Sequence, residues 1–468
     1  MKFKQADFLP VIFGNDINVY SLARSFYQDY GIKSKVYGKA ARSTCYKSKL
    51  VDFTEIPNID QADVLKKVVC DLASLGSNQN RKLLLLGCGD NYVKAITKNA
   101  TEYPSNVVVP YGEYQQLVDL MDKNKFYALC EEKSIPYPKT AQLESTKVAF
   151  FDPNFPPPYV LKPSNQVLYN TFSFEGQKKV FVASTLQELR ATAEKIFRSG
   201  YDDILIVQEF IPGDDSNMRV LTSYSDQVGR VKLQCLGHVL LEEHTPQGIG
   251  NHAVILNEHN PDLMATFRNL LEELKFTGFS NMDIKYDQRD NLYKVFEINV
   301  RQGRSNYYVT GSGHSITKAV VEDRIYHNPL PVDYAYTEHL WMVVPPQVAC
   351  EYAPAYAHEI KRLMKEGKWV NPLFFKKDRN LIRMLRLWRS QKQHKKNYKI
   401  HSTLDYTTTP PTSSNPNFFH NQHQHSDASC TCGDPSHHHN HEHHHDHEHD
   451  HEHHHEHHHH HEEEKGDG

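Results

Sequence analysis

The chain of 468 residues is long enough for two or three domains with a sizeable core. Its hydrophobic fraction of 39% and charged fraction of 24% are those of an ordinary soluble protein. The net charge of −4 hides an asymmetry between a basic segment near 376–399 and an acidic, histidine-loaded end. This distribution gives no support to nucleic-acid binding over the whole chain.

The apolar runs of the sequence argue against secretion and membrane insertion. The opening MKFKQADFLPVIFG has too short an apolar run for a signal peptide, and no run reaches the ~18–20 residues of a spanning helix. Most of the eight cysteines are scattered singly, as in a reducing compartment. We therefore expect a cytoplasmic protein.

Residues 1–112 predict a small parallel α/β domain. FLPVIFG reads as a buried strand, followed by an amphipathic helix that ends at Gly31 and by a second strand, and KLLLLGCGD repeats the pattern. The turns at 14–16 and 87–90 follow these strands, where open sheets bind ligands. Neither turn matches GxGxxG, so a substrate pocket and ordinary turn chemistry both stay open.

Residues 113–207 predict a small lobe with two lysines at element boundaries. Lys123 opens a helix that ends before the prolines at 136 and 138, and Lys162 lies on the strand YVLKP. Point cations of this kind suit phosphate oxygens, although lysines at strand ends are usually solvated. A helix follows at TLQELRATAEKIF, with Ser184 as its predicted N-cap.

Residues 208–350 predict a larger lobe that contains a polar hairpin, FSNMDIKYDQRDNLYKVFEINVR. Strand alternation places Glu297, Asn299 and Arg301 on one face, and the first strand can bring Asp283 beside them. Two carboxylates and an amide oxygen suit Mg²⁺ that holds nucleotide phosphates. The alternative is a polar strand face on which Glu297 and Arg301 simply pair.

Residues 351–400 predict basic helices. Arginines at 379, 383, 386 and 389 alternate with apolar residues between 381 and 388. One interpretation is a C-terminal helix that packs its apolar stripe on the body. The other is peripheral contact of 376–399 with an anionic membrane surface or an acidic partner. The sequence pattern does not decide between them.

Residues 401–468 form a low-complexity tail that we expect to be disordered. Twenty-one of the 31 histidines lie between His420 and His461, interspersed with Asp and Glu. Neutral imidazoles with carboxylates, together with Cys430 and Cys432, can bind Zn²⁺, Ni²⁺ or Cu²⁺ at several sites. We interpret the tail as a native metal buffer or tether, with an expression tag as the alternative.

Residues 1–350 resemble the ATP-grasp ligase superfamily in four motifs that occur in the expected order. These are the DK-containing helix, the VLKP strand, the strand ending in QEFIPG and the hairpin ending in FEINVR. The resemblance implies an ATP-grasp fold of the α/β (α+β) class with an N-terminal parallel-sheet domain and a two-lobed body. It also implies Mg²⁺ and ATP as cofactors. No Ser–His–Asp or reactive-cysteine signature competes with this interpretation.

The resemblance assigns roles residue by residue. For ATP, the resemblance implies that Lys123 and Lys162 contact the phosphates and that Asp215 contacts the ribose. It also implies a hinge segment, Gln208–Ile211, that binds adenine. In this segment the backbone of Glu209 and Ile211 would meet the adenine edge beside Phe210. The implied magnesium ligands are Asp283, Glu297 and Asn299. Arg301, with Lys162, would stabilise the transferring phosphate. The loop after Lys162 is poor in glycine, so Lys178 and Lys179 are further candidates.

FLPVIFGNDINVYSLARSFYQDYGIKS, VQEFIPGDDSNMRV and EINVRQGRSNYYVTGSG resemble the bacterial D-aspartate ligase family. That resemblance implies activation of the D-aspartate β-carboxylate as an acylphosphate, and its transfer to the lysine amine of a peptidoglycan precursor. Because arginine pairs bidentately with carboxylates, the arginines near the turns and the metal are candidate substrate contacts. The candidates are Asn15, Asp16, Arg24, Arg219 and Arg304.

Two other functions remain open from the sequence. One is a ligase of the same fold with a different amino acid or acceptor. The other is a metal-handling or membrane-associated protein built on a degenerate ligase body. A degenerate body would have no need to keep every residue type of the ligase site. All five are present, at Lys123, Lys162, Asp283, Glu297 and Asn299, which argues against loss of catalysis.

Overall fold

The computed structural model describes residues 4, 6–41, 44–169, 171–245 and 248–401. The predicted tail at 402–468 therefore lies outside the described residues, together with its metal sites. The described chain is mixed α/β and contains three sheets of five, eight and four strands.

The first domain is built on a parallel sheet, as the repeated strand–helix pattern predicts. Its strands run in the order β3-β2-β1-β4-β5, so β1 lies at the centre and is buried on both faces. The Asp16 carboxylate caps the first helix by accepting from the N–H groups of Asn18 and Val19, and Gly31 ends that helix at φ 69°. The elements are β1 (Phe8–Phe13), α1 (Ile17–Tyr30), β2 (Ser34–Gly38), β3 (Val51–Glu55), α2 (Ala62–Ser74), β4 (Lys82–Gly87), α3 (Asp90–Lys98) and β5 (Val107–Val108).

The small lobe is a four-stranded antiparallel sheet with its own core. The strand order is β6-β9-β7-β8, so the hinge residues Gln208 and Glu209 belong to this sheet. Helices α4 and α5, which precede it, pack in the main core. The elements are α4 (Tyr114–Met121), α5 (Lys123–Glu132), β6 (Thr140–Leu143), β7 (Tyr159–Pro163), α6 (Gln166–Tyr169), β8 (Phe181–Ala183), α7 (Leu186–Arg198) and β9 (Leu205–Glu209).

The cap of α7 differs by one residue from the sequence prediction. Thr185, not Ser184, occupies the N-cap, and its hydroxyl accepts from the Glu188 N–H at 3.1 Å. The Glu188 carboxylate in turn accepts from the Ser184 N–H at 2.8 Å. Both residue types can cap a helix, and this reciprocal capping box selects Thr185 because Glu188 lies three residues beyond it.

The large lobe contains the eight-stranded sheet and the predicted hairpin. Its strand order is β14-β13-β10-β11-β12-β16-β17, and β15 pairs with β11. The hairpin strands β13 and β14 are separated by a turn at 288–291. The elements are β10 (Met218–Ser225), β11 (Val231–Glu242), β12 (His252–Glu258), α8 (Pro261–Glu273), β13 (Gly278–Asp287), β14 (Leu292–Asn299), α9 (Tyr307–Gly311), α10 (Ile316–Arg324), β15 (Asp333–Ala335) and β16 (Leu340–Met342).

The C-terminal basic segment is part of the body. A short strand, β17, joins the large sheet by parallel pairing with β16, which the sequence pattern did not predict. No helix in the described part of the chain is long and apolar enough to cross a membrane. The elements are α11 (Pro346–Tyr352), α12 (Ala357–Lys365), β17 (Trp369–Val370) and α13 (Leu381–His401).

Arg383 anchors α13 to the first domain. Its guanidinium is fully buried and lies 3.4 Å from the Asp378 carboxylate, which is also fully buried. It donates to the Thr44 carbonyl and, at 3.3 Å, to the Leu373 carbonyl, and it covers the Tyr20 ring at 4.1 Å. The basic helix is therefore fixed by one of its own arginines.

Replacing Arg383 by Ala should lower the free energy of unfolding by ~3–5 kcal/mol, because the Asp378 charge would stay buried without its partner. Denaturant unfolding followed by circular dichroism measures the change. Arg379→Ala, at an exposed position of the same segment, is the control and should change the free energy by less than about 0.5 kcal/mol. Equal stability of the two variants would contradict the anchoring role.

Candidate functional site

The hairpin brings two carboxylates face to face. Asp283 on β13 is the cross-strand partner of Glu297 on β14, and Asn281 is the partner of Asn299. Cross-strand partners point to the same face, so Asp283, Glu297 and Asn299 line one surface. Burial and the neighbouring Glu297 charge raise the pKa of Asp283 to about 7. This face therefore favours an added positive charge.

Lys123 supplies one such charge from the start of α5. The preceding Asp122 caps the helix, and the Lys123 Nζ lies 2.5 Å from Glu297 Oε2. Lys123 and the resulting hydrogen bond hold the pKa of Glu297 well below its usual range, although burial opposes the shift. The first predicted lysine thus neutralises one predicted metal ligand.

Lys162 supplies a second cation from the small lobe. It lies on β7, and burial together with repulsion from Lys123 lowers the pKa of Lys162 to about 7, partly offset by Glu297. Lys179 adds to this repulsion, and its charge also lowers the pKa values of Asp283 and Glu297. Of the two loop lysines considered from sequence, Lys179 is the one whose charge acts on the carboxylate face.

Arg301 connects the hairpin to the first domain. Its Nε donates to Asp90 Oδ1 at 2.7 Å, and one of its terminal nitrogens donates to Asn299 Oδ1 at 3.1 Å. Asp90 opens α3 immediately after the 87–90 turn. The turn that sequence analysis left open therefore meets the predicted metal site through an arginine. The simple Glu297–Arg301 pair considered as an alternative is replaced by Lys123–Glu297 and Arg301–Asp90.

A group of buried polar atoms extends the carboxylate face toward β11 and β12. His252 Nε2 lies 3.7 Å from Asp283 Oδ1 and 4.0 Å from Glu242 Oε1. Within the described structure neither His252 Nε2 nor Glu242 Oε1 has a hydrogen-bond partner. Burial, aided by Asp215 and Asp283, raises the pKa of Glu242 to about 8, and burial with Arg304 lowers the pKa of His252 to about 4.

Asp215 is positioned by the end of β11. Its Oδ2 accepts from the Glu242 N–H at 2.9 Å and contacts His244 Nε2 at 2.8 Å. Tyr398 of α13 lies over this point, since its hydroxyl donates to the Glu242 carbonyl and its ring lies 5.0 Å from the His244 ring. The predicted ribose residue is thus held by a strand end that the C-terminal helix covers.

The hinge segment is fixed mainly by its side chains. Gln208 donates to the Tyr127 hydroxyl at 2.9 Å and to Thr140 at 2.8 Å. The Glu209 carboxylate contacts Arg289 at 2.8 Å and Lys294 at 3.2 Å. These contacts tie the small lobe to α5 and to the hairpin turn.

The hinge backbone is partly engaged within the protein. The N–H groups of Glu209 and Phe210 donate to the carbonyls of Lys139 and Pro158. The Ile211 N–H is consequently the remaining backbone donor of this segment that can meet a ligand.

The candidate substrate residues fall into two groups. Arg304 donates to Glu243 at 2.8 Å, and its charge, with that of Arg301, acts on the partly buried Asp16 carboxyl, whose pKa is raised by desolvation. Asn15 lies in the same turn as Asp16, and its carbonyl accepts from Thr44. These residues line the polar region between the first domain and the large lobe.

Arg24 and Arg219 are used in packing. Arg24 is buried, donates to the carbonyls of Asn371 and Pro372, and lies over the Tyr307 ring at 4.4 Å. Arg219 is buried and paired with Glu258. Their guanidinium groups hold the C-terminal segment and the large sheet, and a substrate contact from either arginine stays a prediction.

Several residues near the site were missed from the sequence. Glu242, His244 and His252 flank the glycine-containing loop 248–250, and the cluster LLEEH at a strand end was the available signal. Asp90 was marked only as a turn residue. Tyr398 carried no signal, because its role depends on where α13 packs.

Comparison of the sequence with known proteins gives one match that decides the family. The chain is 38% identical over 392 residues to the D-aspartate ligase of Enterococcus faecium (strain Aus0004), and the alignment covers 81% of this chain and 93% of that protein. The chain belongs to the D-aspartate ligase family. No model of a known protein family matches the chain. The predicted enzyme class, an ADP-forming carboxylate–amine ligase, is confirmed.

Solved structures show the fold. N5-carboxyaminoimidazole synthetase from Staphylococcus aureus is 14% identical, with a TM-score of 0.54 over 77% of this chain and 88% of that one. N5-carboxyaminoimidazole ribonucleotide synthetase from Thermus thermophilus is also 14% identical, with a TM-score of 0.51 over 71% and 82% of the two chains. The predicted ATP-grasp fold is confirmed.

We expect nucleotide binding to depend on pH, because the pKa of Lys162, a predicted phosphate contact, is lowered to about 7. Phosphate oxygens favour the ammonium form, so binding should raise the Lys162 pKa above 7 again. At pH 8 the complex should therefore take up close to one proton, ~0.9 per ATP if Lys162 is fully protonated when bound, and apparent affinity should fall as pH rises above 7. Calorimetric titration in buffers of different ionisation enthalpy measures the uptake. An unchanged uptake in Lys162→Met would contradict the assignment.

Proposed function

We propose that this protein uses Mg²⁺ and ATP to activate the β-carboxylate of D-aspartate as an acylphosphate. The amine of a lysine side chain in a peptidoglycan precursor then displaces phosphate and forms the amide. The observation that carries the proposal is the cross-strand set Asp283, Glu297 and Asn299, faced by Lys123 and Lys162 from other elements. Membership in the D-aspartate ligase family supports the choice of donor.

The hairpin set fits magnesium in its donor chemistry. Carboxylate and amide oxygens are hard ligands, and the raised pKa of Asp283 marks a face with too little positive charge. No group of three or more His, Cys, Asp or Glu side chains in the described ranges has metal-site geometry. The hairpin set offers two carboxylates and one amide oxygen, and nucleotide phosphates would supply further oxygen ligands. Bound magnesium would neutralise phosphate charge during transfer.

The protein's own residues give the nucleotide three kinds of contact. The Ile211 N–H would meet the adenine edge, and Asp215 would accept from the ribose hydroxyls. Lys123 and Lys162 would bind phosphate oxygens. Phosphate binding would draw Lys123 away from Glu297, which frees that carboxylate for the metal. This exchange of partners links nucleotide binding to assembly of the site.

The donor carboxylate would lie beside Arg301. This arginine is held between Asn299 and Asp90, so its position is set before the substrate arrives. Its charge would stabilise the phosphoryl group as the donor oxygen attacks. Arg304, Asn15 and Asp16 would contact the remaining polar groups of the amino acid.

The acceptor amine would enter beside Glu242 and His252. Glu242 Oε1 and His252 Nε2 are buried without hydrogen-bond partners in the described structure, and an amine donor would satisfy them. Both atoms lie within 4.0 Å of each other and next to Asp283.

The cellular location and the tail belong to the same proposal. We propose a cytoplasmic location, which agrees with the unpaired cysteines among the described residues. Zn²⁺ or Ni²⁺ binding by residues 402–468 stays a prediction.

Donor and acceptor are tested by ADP release. D-Aspartate with a lysine-containing stem peptide should raise ADP release far above background, whereas L-aspartate should not, and mass spectrometry should detect the amide. ADP release with another amino acid would keep the ligase chemistry and change the donor. If no amino acid raises ADP release, the proposed activity is wrong.

Glu297→Gln tests the metal site. The amide keeps the shape of the side chain but removes its charge, so turnover should fall at least about 100-fold while circular dichroism is unchanged. Raising the magnesium concentration should recover part of the loss. Glu258→Gln, which removes a carboxylate from the same sheet beside Arg219, is the matched control and should retain most of the turnover. Wild-type turnover of Glu297→Gln would exclude Glu297 as a ligand.

A further inference from the structure

Helix α13 has two faces of different character. The inner face is buried at Arg383, Leu387 and Tyr398, which fall at helical spacing and fix the helix to the body. The outer face begins with an exposed apolar stripe. Its exposed fractions are 75% for Leu381, 50% for Ile382, 44% for Leu385 and 54% for Trp388.

The same outer face continues as a row of cations. Residues 389, 392, 396 and 399 follow the stripe at helical spacing, and all four are exposed Arg or Lys. Between 376 and 399 the sequence contains ten Lys and Arg residues and one acid, Asp378. Because Asp378 is buried against Arg383, it does not screen the exposed row. None of these four cations forms an ion pair with another described residue.

We propose that the outer face of α13 binds an anionic lipid surface. Leu381, Ile382, Leu385 and Trp388 would enter the boundary between headgroups and acyl chains, and the exposed cations would meet lipid phosphates. Amphipathic helices with tryptophan and leucine beside Lys and Arg bind membranes in this way. This property goes beyond the proposed ligase activity and does not depend on it.

Other occupants fit the outer face less well. A second copy of the chain would place two cationic rows against each other, which like-charge repulsion opposes. The chain's own segment 437–461 contains only His, Asp, Glu and Asn, so it can neutralise the cations but offers no apolar side chains to the stripe. An anionic lipid surface supplies both properties.

The binding mode leaves the body intact. The buried contacts of Arg383 and Tyr398 are on the opposite face, so the helix can meet a membrane without leaving the protein. The membrane would then lie on the outside of the helix that covers the end of β11. Lipid contact and the ligase site would share one rigid element.

Vesicle sedimentation of the full chain tests the proposal. Vesicles of phosphatidylglycerol and phosphatidylcholine should bind the protein at least about tenfold more tightly than pure phosphatidylcholine, and 1 M salt should weaken that binding. The double variant Leu385→Ser with Trp388→Ser should lose binding about tenfold, as should Arg389→Glu with Lys392→Glu. All variants should keep wild-type turnover without vesicles.

Matched controls come from the small lobe. Phe150→Ser removes an apolar side chain that is 90% exposed, and Arg198→Glu reverses a cation on the exposed surface of α7. Neither change should alter vesicle binding. If these controls lose binding as strongly as the α13 variants, the attraction is not located on α13 and the proposal is wrong.

Tryptophan fluorescence gives a local readout. Trp341 is fully buried and Trp369 is partly buried, so Trp388 is the tryptophan that should report lipid contact. Its emission should shift to the blue with phosphatidylglycerol vesicles, and the shift should vanish in Trp388→Phe while sedimentation is largely kept. A shift that persists in Trp388→Phe would overturn the proposed orientation.

Two further outcomes would assign the face to another occupant. Vesicle binding that appears only after removal of 402–468, in a variant with intact turnover, would mean that the chain's own acidic segment occupies the outer face. Tighter binding of polyglutamate than of anionic vesicles would indicate an acidic polypeptide partner. Either result would overturn the lipid proposal for the full chain.

Discussion

The repulsion between two carboxylates on adjacent strands is the constraint on which the rest of the site depends. Cross-strand pairing places Asp283 opposite Glu297, and partial burial together with the Glu297 charge raises the pKa of Asp283 to about 7. Cations from separate elements of the fold reduce this repulsion. Lys123 comes from α5, Lys162 from the small sheet and Arg301 from the end of the hairpin. Cations from three separate elements therefore converge on one hairpin.

The two carboxylates of the hairpin are neutralised to different extents. Glu297 is neutralised by Lys123, whereas the pKa of Asp283 stays raised to about 7 and burial with repulsion lowers the pKa of Lys162 to about 7. The site thus lacks positive charge at Asp283 and negative charge at Lys162. A metal cation would neutralise Asp283, and a polyanion such as a nucleotide triphosphate would neutralise Lys162. This charge distribution is the physical reason to expect a metal–nucleotide ligand.

The C-terminal helix α13 contacts the candidate site in addition to the small and large lobes. Tyr398 contacts the Glu242 carbonyl and the His244 ring, and these two residues in turn hold Asp215. The same helix is anchored by buried Arg383 at its other end. The sequence of this segment is compatible with both packing on the body and surface contact. The inner face packs, and the outer face exposes the apolar stripe and the cations.

The sequence by itself determined the local parts of this protein. Hydrophobic alternation predicted the strands, Gly31 and the prolines predicted helix ends, and strand alternation placed Glu297 with Asn299 on one face. These properties depend on neighbours within a few residues, so a linear pattern contains them. The four ordered motifs between Lys123 and Arg301 also indicated the ATP-grasp fold, through their resemblance to that superfamily.

Only the tertiary structure decided which charged groups meet. Arg24 and Arg301 have the same side chain and are both candidate ligand contacts in the sequence, yet Arg24 donates to the carbonyls at 371 and 372 whereas Arg301 donates to Asp90 and Asn299. Strand β17 extends the large sheet by parallel pairing with β16, which is distant from it in the sequence. The partners of a long, flexible, charged side chain come from distant parts of the chain, and their positions are fixed only when the whole core has packed.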